Sequence, residues 1–143
     1  PSLIDHITPG TILTPHAGEF DRIFGSQASA ETRLLKAIEV SHKYKLIIVL
    51  KGHYSATVRP DGKVFFNSTG SPAMATGGSG DVLAGIITSL LAQGYKSEIA
   101  ATAGVYIHGL AGDLAAHTEG EYGTSAGDIA ACVGKAIKAI MSV

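Results

Sequence analysis

A glycine-rich loop runs directly into a helix that carries a carboxylate, and this segment has the composition of a phosphate site. It reads Gly77-Gly78-Ser79-Gly80-Asp81 and is followed at once by an apolar stripe of helical period. The free N–H groups and the dipole of a helix N-terminus attract anions, phosphate above all. Asp81 beside such a site could take part in chemistry on a hydroxyl close to a phosphate.

A purely structural interpretation of this segment is also open. An aspartate at a helix N-cap commonly does no more than accept backbone hydrogen bonds, and glycines before a helix often form only a tight turn. A GxGD pattern by itself is a weak signal. The length of the polar loop, which begins at Asn67, and the segments around it favour the functional interpretation.

Two further segments place polar side chains directly after strand candidates. His16 and Glu19 follow the strand candidate 11–14, and Lys51 follows the apolar run 46–50. Ligands of open α/β sheets bind at the carboxyl ends of strands, so we expect all three segments to converge there. His16 would contact substrate and Lys51 would hold a point charge near a phosphate, with an exposed loop histidine and a solvated lysine as the alternatives. Glu19 is expected to support the helix N-terminus.

The histidine spacing does not indicate a metal site. The six histidines, at 6, 16, 42, 53, 108 and 117, form no HxxxH or HExxH pair, and the sequence has no GxSxG elbow and no Walker P-loop. A divalent ion would therefore arrive with nucleotide phosphates and keep several waters. His108 falls inside a predicted helix, and we expect it to be a satisfied core or interface histidine.

The predicted strands and helices that carry the candidate site residues follow one another in the order of an α/β layer fold. The run 46–50 is continuously apolar, as in a central parallel strand, and few other strands are predicted. The chain therefore resembles part of a larger sheet. We predict strands at 11–14, 46–50, 56–59 and 63–66, the last two as a hairpin. We predict helices at 19–24, 30–45, 81–93 with Gly94 as its cap, 97–117 and 128–141. The predicted buried positions include Leu34, Leu35 and Ile38 in the second helix and Val82, Leu83, Ile86, Ile87, Leu90 and Leu91 in the third.

Composition excludes several classes of protein. A chain of 143 residues with net charge −1 and pI near 6.7 favours one domain, and without a basic patch we expect no nucleic-acid partner. Its apolar runs are shorter than the roughly 18 residues that span a bilayer, so we expect no membrane partner. A single cysteine, Cys132, excludes an internal disulfide and indicates a reducing, cytoplasmic compartment. Cys132 lies on a helical stripe and is expected in the core.

Three longer segments occur in a distinctive order: TPHAGEF (14–20), LKG (50–52) and NSTGSPAMATGGSGDVLAGIITSLLAQG (67–94). Together they resemble the ADP-dependent NAD(P)H-hydrate dehydratases, which are carbohydrate-kinase-like proteins, and the resemblance extends over nearly all of the chain. The long segment is specific, because other ribokinase-like kinases share little more than its GxGD end. The departures are Ala17, Ser71, Ala73 and Ser79, where the family usually has Pro, Asn, Gly and Thr.

The resemblance implies a fold, a reaction and site residues. The fold is a ribokinase-like three-layer α/β/α sandwich with a mostly parallel sheet. The reaction dehydrates hydrated NADH or NADPH (NADHX or NADPHX) at the expense of ADP or ATP with Mg²⁺, through phosphorylation of the hydroxyl and elimination of phosphate. Asp81 is then the catalytic residue and, with His16, contacts the substrate. The implied nucleotide site consists of Lys51, Gly52, His53, Tyr54, Ser55 and Gly80, and the implied anion hole of the N–H groups of Gly78, Ser79 and Gly80.

Members of this family are longer than this chain. We therefore expect residues 1–143 to be the C-terminal part of one dehydratase domain, with little activity alone and with its N-terminal half absent or present as a separate piece. We expect a homo-oligomer, for which the alanine-rich helix from Ser97 could provide the contact, and an epimerase domain could be fused upstream. Two other functions stay open: a ribokinase-like kinase acting on a sugar or vitamin-precursor alcohol, and a nucleotide-binding module without catalysis.

Overall fold

The computed structural model describes residues 4–142, which contain four strands and five α-helices. The contacts divide the chain into two units, Pro1–Phe66 and Asn67–Val143. All four strands lie in the first unit, and the second unit consists of helices and the loop that precedes them. Each unit has its own hydrophobic core.

The first unit is a four-stranded mixed sheet with two helices. The strands are β1 (Ile12–Leu13), β2 (Ile47–Leu50), β3 (Ala56–Val58) and β4 (Val64–Phe66), and the helices are α1 (Ala17–Phe24) and α2 (Ala30–Tyr44). Strand order follows the sequence, with β1 parallel to β2 and the other neighbours antiparallel. Residues 46–49 are at most 1% exposed, which confirms the predicted buried strand. The antiparallel pairing of β3 with β4 confirms the predicted hairpin.

Helix α2 buries the face that the sequence predicted, except at Leu35. Its fully buried residues are Ala37, Val40 and Ser41, whereas Leu35 is 60% exposed. Residues two apart in a helix differ by about 200° around its axis, so Leu35 points away from the face that Ala37 buries. The prediction for Leu35 is therefore wrong, while Leu34 and Ile38 lie at the edge of the core and are partly buried.

Helices α3 (Ser79–Ala92), α4 (Ser97–Glu119) and α5 (Ala126–Met141) form the core of the second unit. The predicted α3 stripe is confirmed at Leu83, Ile86 and Ile87, which are buried, but Leu91 near the end of the helix is 38% exposed. Small residues bring the helices close together: a Cβ at Gly104 would lie 2.6 Å from Ile87 Cγ1. Cys132 is buried in this core as predicted.

Helix α4 is long and apolar enough to cross a membrane by length and composition, although the sequence was expected to hold no such run. Alanines and glycines raise its mean hydropathy without forming a long run of large side chains. Its small residues are buried within the unit, including Ala100, Ala101, Ala111 and Ala115, as in the central helix of a packed helical layer. Because these small residues are already buried within the unit, they do not support the expected contact between two copies of the chain.

Candidate functional site

The loop that leads to the predicted phosphate site is attached to α4. Thr69 Oγ1 donates to the carbonyl of Tyr106 at 2.9 Å, and the amide of Gly70 donates to Asp113 Oδ2 at 2.9 Å. These bonds hold the beginning of the loop at two points on one helix.

Two glycines of α4 make room for this loop. A Cβ at Gly109 would overlap Thr69 and lie 2.8 Å from its carbonyl oxygen, and a Cβ at Gly112 would lie 2.7 Å from Met74 Cε. Glycine within a helix is destabilising by about 1 kcal/mol relative to alanine, so two of them three residues apart indicate a close approach. The sequence alone did not indicate that α4 packs against the loop of the predicted phosphate site.

Helix α3 begins without a side-chain cap. Its N-cap is Gly78, which has a left-handed φ of 88°, and no side chain accepts a hydrogen bond from the first turn. The Ser79 amide donates to Thr76 O at 3.3 Å, and those of Asp81 and Val82 donate to Gly78 O. Within residues 4–142, the amides of Gly77, Gly78 and Gly80 donate no hydrogen bond. Of the predicted anion hole, Gly78 and Gly80 therefore offer free N–H groups, whereas Ser79 uses its own inside the loop.

Asp81 is an exposed carboxylate in the first turn of α3. It is the third residue of its helix, so it is not the N-cap that the structural interpretation assumed. In the part of the chain that the structure describes, its side chain has no hydrogen bond and no ion pair. The glycine at the cap offers no side chain with which Asp81 could form a capping box, and the carboxylate stays available to a ligand.

Helix α5 shows what the same position does when the cap is complete. Asp128 is also the third residue of its helix, and its Oδ2 accepts from Ser125 Oγ at 2.6 Å and from the Ser125 amide at 2.9 Å. These bonds, the side-chain one first, lower the pKa of Asp128. Asp128 is hydrogen-bonded and Asp81 is not, because the N-cap of α5 is Ser125 and the N-cap of α3 is Gly78.

In the first unit, His16, Glu19 and Lys51 lie together at the carboxyl ends of the parallel strands β1 and β2. His16 and Lys51 form a parallel bridge, and the Lys51 amide donates to Pro15 O at 2.9 Å. Lys51 Nζ lies 3.5 Å from Glu19 Oε2. Two of the three polar segments predicted at strand ends therefore meet at one edge of the sheet.

His16 is the N-cap of α1 and forms a capping box with Glu19. His16 Nδ1 accepts from the Glu19 amide at 3.2 Å, and Glu19 Oε2 accepts from the His16 amide at 2.7 Å. The backbone bond from His16, followed by the charge of Lys51, lowers the pKa of Glu19. Glu19 thus supports the helix N-terminus as predicted. Its Oε1 also lies 3.4 Å from His16 Nε2, so both ring nitrogens of His16 face Glu19.

The other predicted nucleotide-site residues form an exposed turn after β2. The rings of His53 and Tyr54 meet edge to face with centroids 4.5 Å apart, and Tyr54 is 71% exposed. Ser55 Oγ donates to Gly52 O at 3.4 Å. The turn presents aromatic surface to solvent. Its role in nucleotide binding stays a prediction, as does the convergence of this unit's residues with Asp81.

His108 is buried, as the sequence predicted, but its partner was not foreseen. Its Nε2 lies 3.3 Å from Ser79 Oγ, and burial lowers the pKa of His108. Ser79 is 29 positions away in the sequence, and no local pattern links them. Among residues 4–142 no three His, Cys, Asp or Glu side chains cluster as metal ligands.

Comparison with known proteins gives a consistent result. The model of a family described as NAD(P)H-hydrate dehydratase matches residues 5–134. A bifunctional NAD(P)H-hydrate repair enzyme from Moorella thermoacetica is 46% identical over 120 residues, which cover 82% of this chain and 23% of that protein. An ADP-dependent (S)-NAD(P)H-hydrate dehydratase from Neisseria meningitidis is 42% identical over 123 residues, covering 83% and 41% of the two chains.

Solved structures give the same answer for the fold. The ADP/ATP-dependent NAD(P)H-hydrate dehydratase of Bacillus subtilis, co-crystallised with ATP and Mg²⁺, matches with a TM-score of 0.83 and 32% identity, over 90% of this chain and 47% of that one. Arabidopsis thaliana ribokinase matches with a TM-score of 0.60 at 18% identity, which shows the fold alone. The predicted ribokinase-like α/β fold is therefore confirmed. The chain spans about half the length of the solved dehydratase and less than half of the curated relatives.

Proposed function

Because the chain belongs to the NAD(P)H-hydrate dehydratase family, we propose that the complete protein carrying it dehydrates hydrated NADH or NADPH at the expense of ADP or ATP. The observation that carries this proposal is the free Asp81 carboxylate at the uncapped N-terminus of α3, beside the unbonded amides of Gly78 and Gly80. The pair supplies a base and an anion site within one helical turn, which is what phosphorylation of a hydroxyl requires.

The reaction follows from these groups in two steps. Asp81 accepts the hydroxyl proton while that oxygen bonds to the terminal phosphorus of the nucleotide, and the P–O bond to the rest of the nucleotide breaks, so that ADP leaves as AMP or ATP leaves as ADP. The amides of Gly78 and Gly80 stabilise the charge on the transferring phosphoryl group. Phosphate then leaves with the C–O bonding electrons as the ring loses a proton, and the dihydronicotinamide is restored. Mg²⁺ would neutralise charge on the phosphates.

The residues of the first unit take the binding roles. We propose that His16 contacts the hydrated nicotinamide nucleotide, which would compete with Glu19 Oε1 for Nε2, and that Lys51 and the turn 52–55 bind the adenine nucleotide. Lys51 is paired with Glu19, so the phosphates would compete with Glu19 for its charge.

The wider setting is a proposal for the complete protein. We propose that residues 1–143 are the C-terminal part of one ribokinase-like domain, consistent with their covering 47% of the solved dehydratase. The homo-oligomer, the cytoplasmic location and a fused epimerase domain also stay predictions.

An absorbance assay at 340 nm tests the function. The complete protein is mixed with hydrated NADH or NADPH and Mg²⁺, with ADP, ATP or no nucleotide. We expect absorbance to rise only when a nucleotide is present. A folded protein that binds ADP but gives no rise with either nucleotide would contradict the dehydratase and direct the search to alcohol acceptors for a kinase.

A further inference from the structure

A buried hydrogen bond joins α4 to the first residue of α3. His108 and Ser79 are 9% and 7% exposed, and the bond between Nε2 and Oγ measures 3.3 Å. Ser79 is followed directly by Gly80 and Asp81. Since both partners are buried, their contact can influence a bound ligand only through the backbone of the turn.

His108 differs from the rest of the buried surface of α4. The other buried residues of the helix are alanine, glycine, valine and isoleucine, and burying a polar ring among them is costly unless the ring is hydrogen-bonded. Ser79 provides its one side-chain hydrogen bond within residues 4–142. The ring therefore serves the α3 turn more directly than it serves the packing of the core.

The same stretch of α4 also holds the beginning of the loop. Thr69 and Gly70 are bonded to Tyr106 and Asp113, which lie two residues before and five residues after His108. The loop is thus fixed to one helix at both ends, near residue 70 and at Ser79. Without the second anchor, the turn would be held by the packing of Met74 against α4 and of α3 against its neighbours.

We propose that His108 is a positioning residue: through Ser79 it fixes the turn that presents the Gly78 and Gly80 amides and the Asp81 carboxylate. Its effect on catalysis rests on the proposed function, whereas its effect on the order of the turn does not. A displacement of about 1 Å in a catalytic group can lower the rate by about 10²-fold, so a contact outside the site can act strongly on kcat.

Three variants of the complete protein separate positioning from packing. His108→Leu removes the hydrogen bond at similar volume, His108→Gln keeps an amide near the position of Nε2, and Cys132→Ala thins the same helical core on α5. We expect His108→Leu to lower kcat at least about tenfold, within the range for a misplaced catalytic group, with a smaller change in KM for ADP. His108→Gln should recover most of that loss. Equal kcat values in His108→Leu and Cys132→Ala would overturn the catalytic part of the proposal.

Amide hydrogen exchange tests the positioning without any assay of activity. Peptides covering residues 76–83 should exchange faster in His108→Leu than in the wild type, His108→Gln or Cys132→Ala. If the wild type shows no dehydration, the proposed function fails and exchange alone decides this inference. Should His108→Leu not fold, Ser79→Ala breaks the same bond from the other side. Unchanged exchange at 76–83 in a folded variant lacking the bond overturns the proposal.

Discussion

Asp81 and Asp128 occupy the same helical position and differ in what surrounds them. Each is the third residue of its helix, but Asp128 is bonded to Ser125 while Asp81 follows a glycine cap. A carboxylate that completes a capping box contributes to stability, whereas one without a partner is free to exchange a proton with a ligand.

This difference predicts opposite effects for one substitution. Asp81→Asn should lower kcat for dehydration by about 10²–10⁴-fold, the usual contribution of a general base, and leave the melting temperature and ADP binding nearly unchanged. Asp128→Asn should keep kcat and lower the free energy of unfolding by about 1 kcal/mol, the usual cost of a weakened cap. Kinetics and thermal unfolding of both variants check this, and retained kcat in Asp81→Asn would remove Asp81 from the role of base.

His16 combines a structural and a proposed binding role, which a careful substitution can separate. Alanine would remove the cap as well as the ring, whereas asparagine is itself a favoured N-cap. His16→Asn should therefore keep the melting temperature and raise KM for hydrated NADH more than KM for ADP. Steady-state kinetics with each substrate varied in turn give the comparison. A larger rise in KM for ADP would reverse the assignment of His16.

Among the strands and helices, the sequence predicted correctly those features that depend on neighbouring residues in the chain. The hairpin at Pro60-Asp61-Gly62 and the buried strand β2 were predicted because turn residues and a continuous apolar run are local signals. The buried face of α2 was misjudged at Leu35, because the choice between neighbouring apolar faces depends on where the sheet lies. The attachment of the loop to α4 was not predicted, since Thr69 and Gly70 are distant in sequence from their partners on α4.

Gly109 of α4 should be intolerant of a side chain. A Cβ there would lie 2.8 Å from the Thr69 carbonyl oxygen, so Gly109→Ala should displace the loop and lower both stability and kcat. Gly134 of α5 is the matched control, because a Cβ there meets nothing within 4 Å. Gly134→Ala should stabilise the protein by about 0.5–1 kcal/mol by its effect on the unfolded chain. Denaturant unfolding of both variants measures the contrast, and similar effects would show that α4 does not need this glycine.

The buried histidine of α4 predicts a loss of stability in mild acid. Burial lowers the pKa of His108 below its ordinary 6.5, so the unfolded chain binds a proton in a pH range where the folded chain does not. The contribution of the neutral His108 ring to the free energy of unfolding is complete above pH 6.5. It is lost as the pH falls from 6.5 toward the pKa of the folded state. Melting temperatures between pH 7.5 and 5.5 should fall more for the wild type than for His108→Gln. If the melting temperatures of the two proteins change equally with pH, the His108 ring is not buried in its neutral form.

At the scale of the whole molecule, the site could be predicted only in part. The glycine-rich loop predicts an anion site because helix N-termini attract phosphate. The family resemblance, confirmed by the matches at 42–46% identity, is the basis of the proposed reaction. Which amides stay free is decided by the turn itself: Ser79 donates to Thr76, and Gly78 and Gly80 do not donate. The sequence does not indicate which amides of a turn donate to carbonyls of the same turn, so this part of the site could not be predicted.

Nucleotide binding should raise the stability of the complete protein by mass action. A ligand at about 100 times its Kd adds about 2.7 kcal/mol when it binds only the folded state, so ADP with Mg²⁺ should raise the melting temperature by several degrees. AMP is the matched ligand, because it lacks the phosphate that the amides of Gly78 and Gly80 would hold, and it should give a smaller rise at equal concentration. Thermal unfolding with each nucleotide provides the measurement. Equal rises in melting temperature with AMP and ADP would show that the α3 N-terminus does not bind the terminal phosphate. If Lys51→Met abolishes the difference between the two nucleotides, Lys51 contributes to binding the same phosphate.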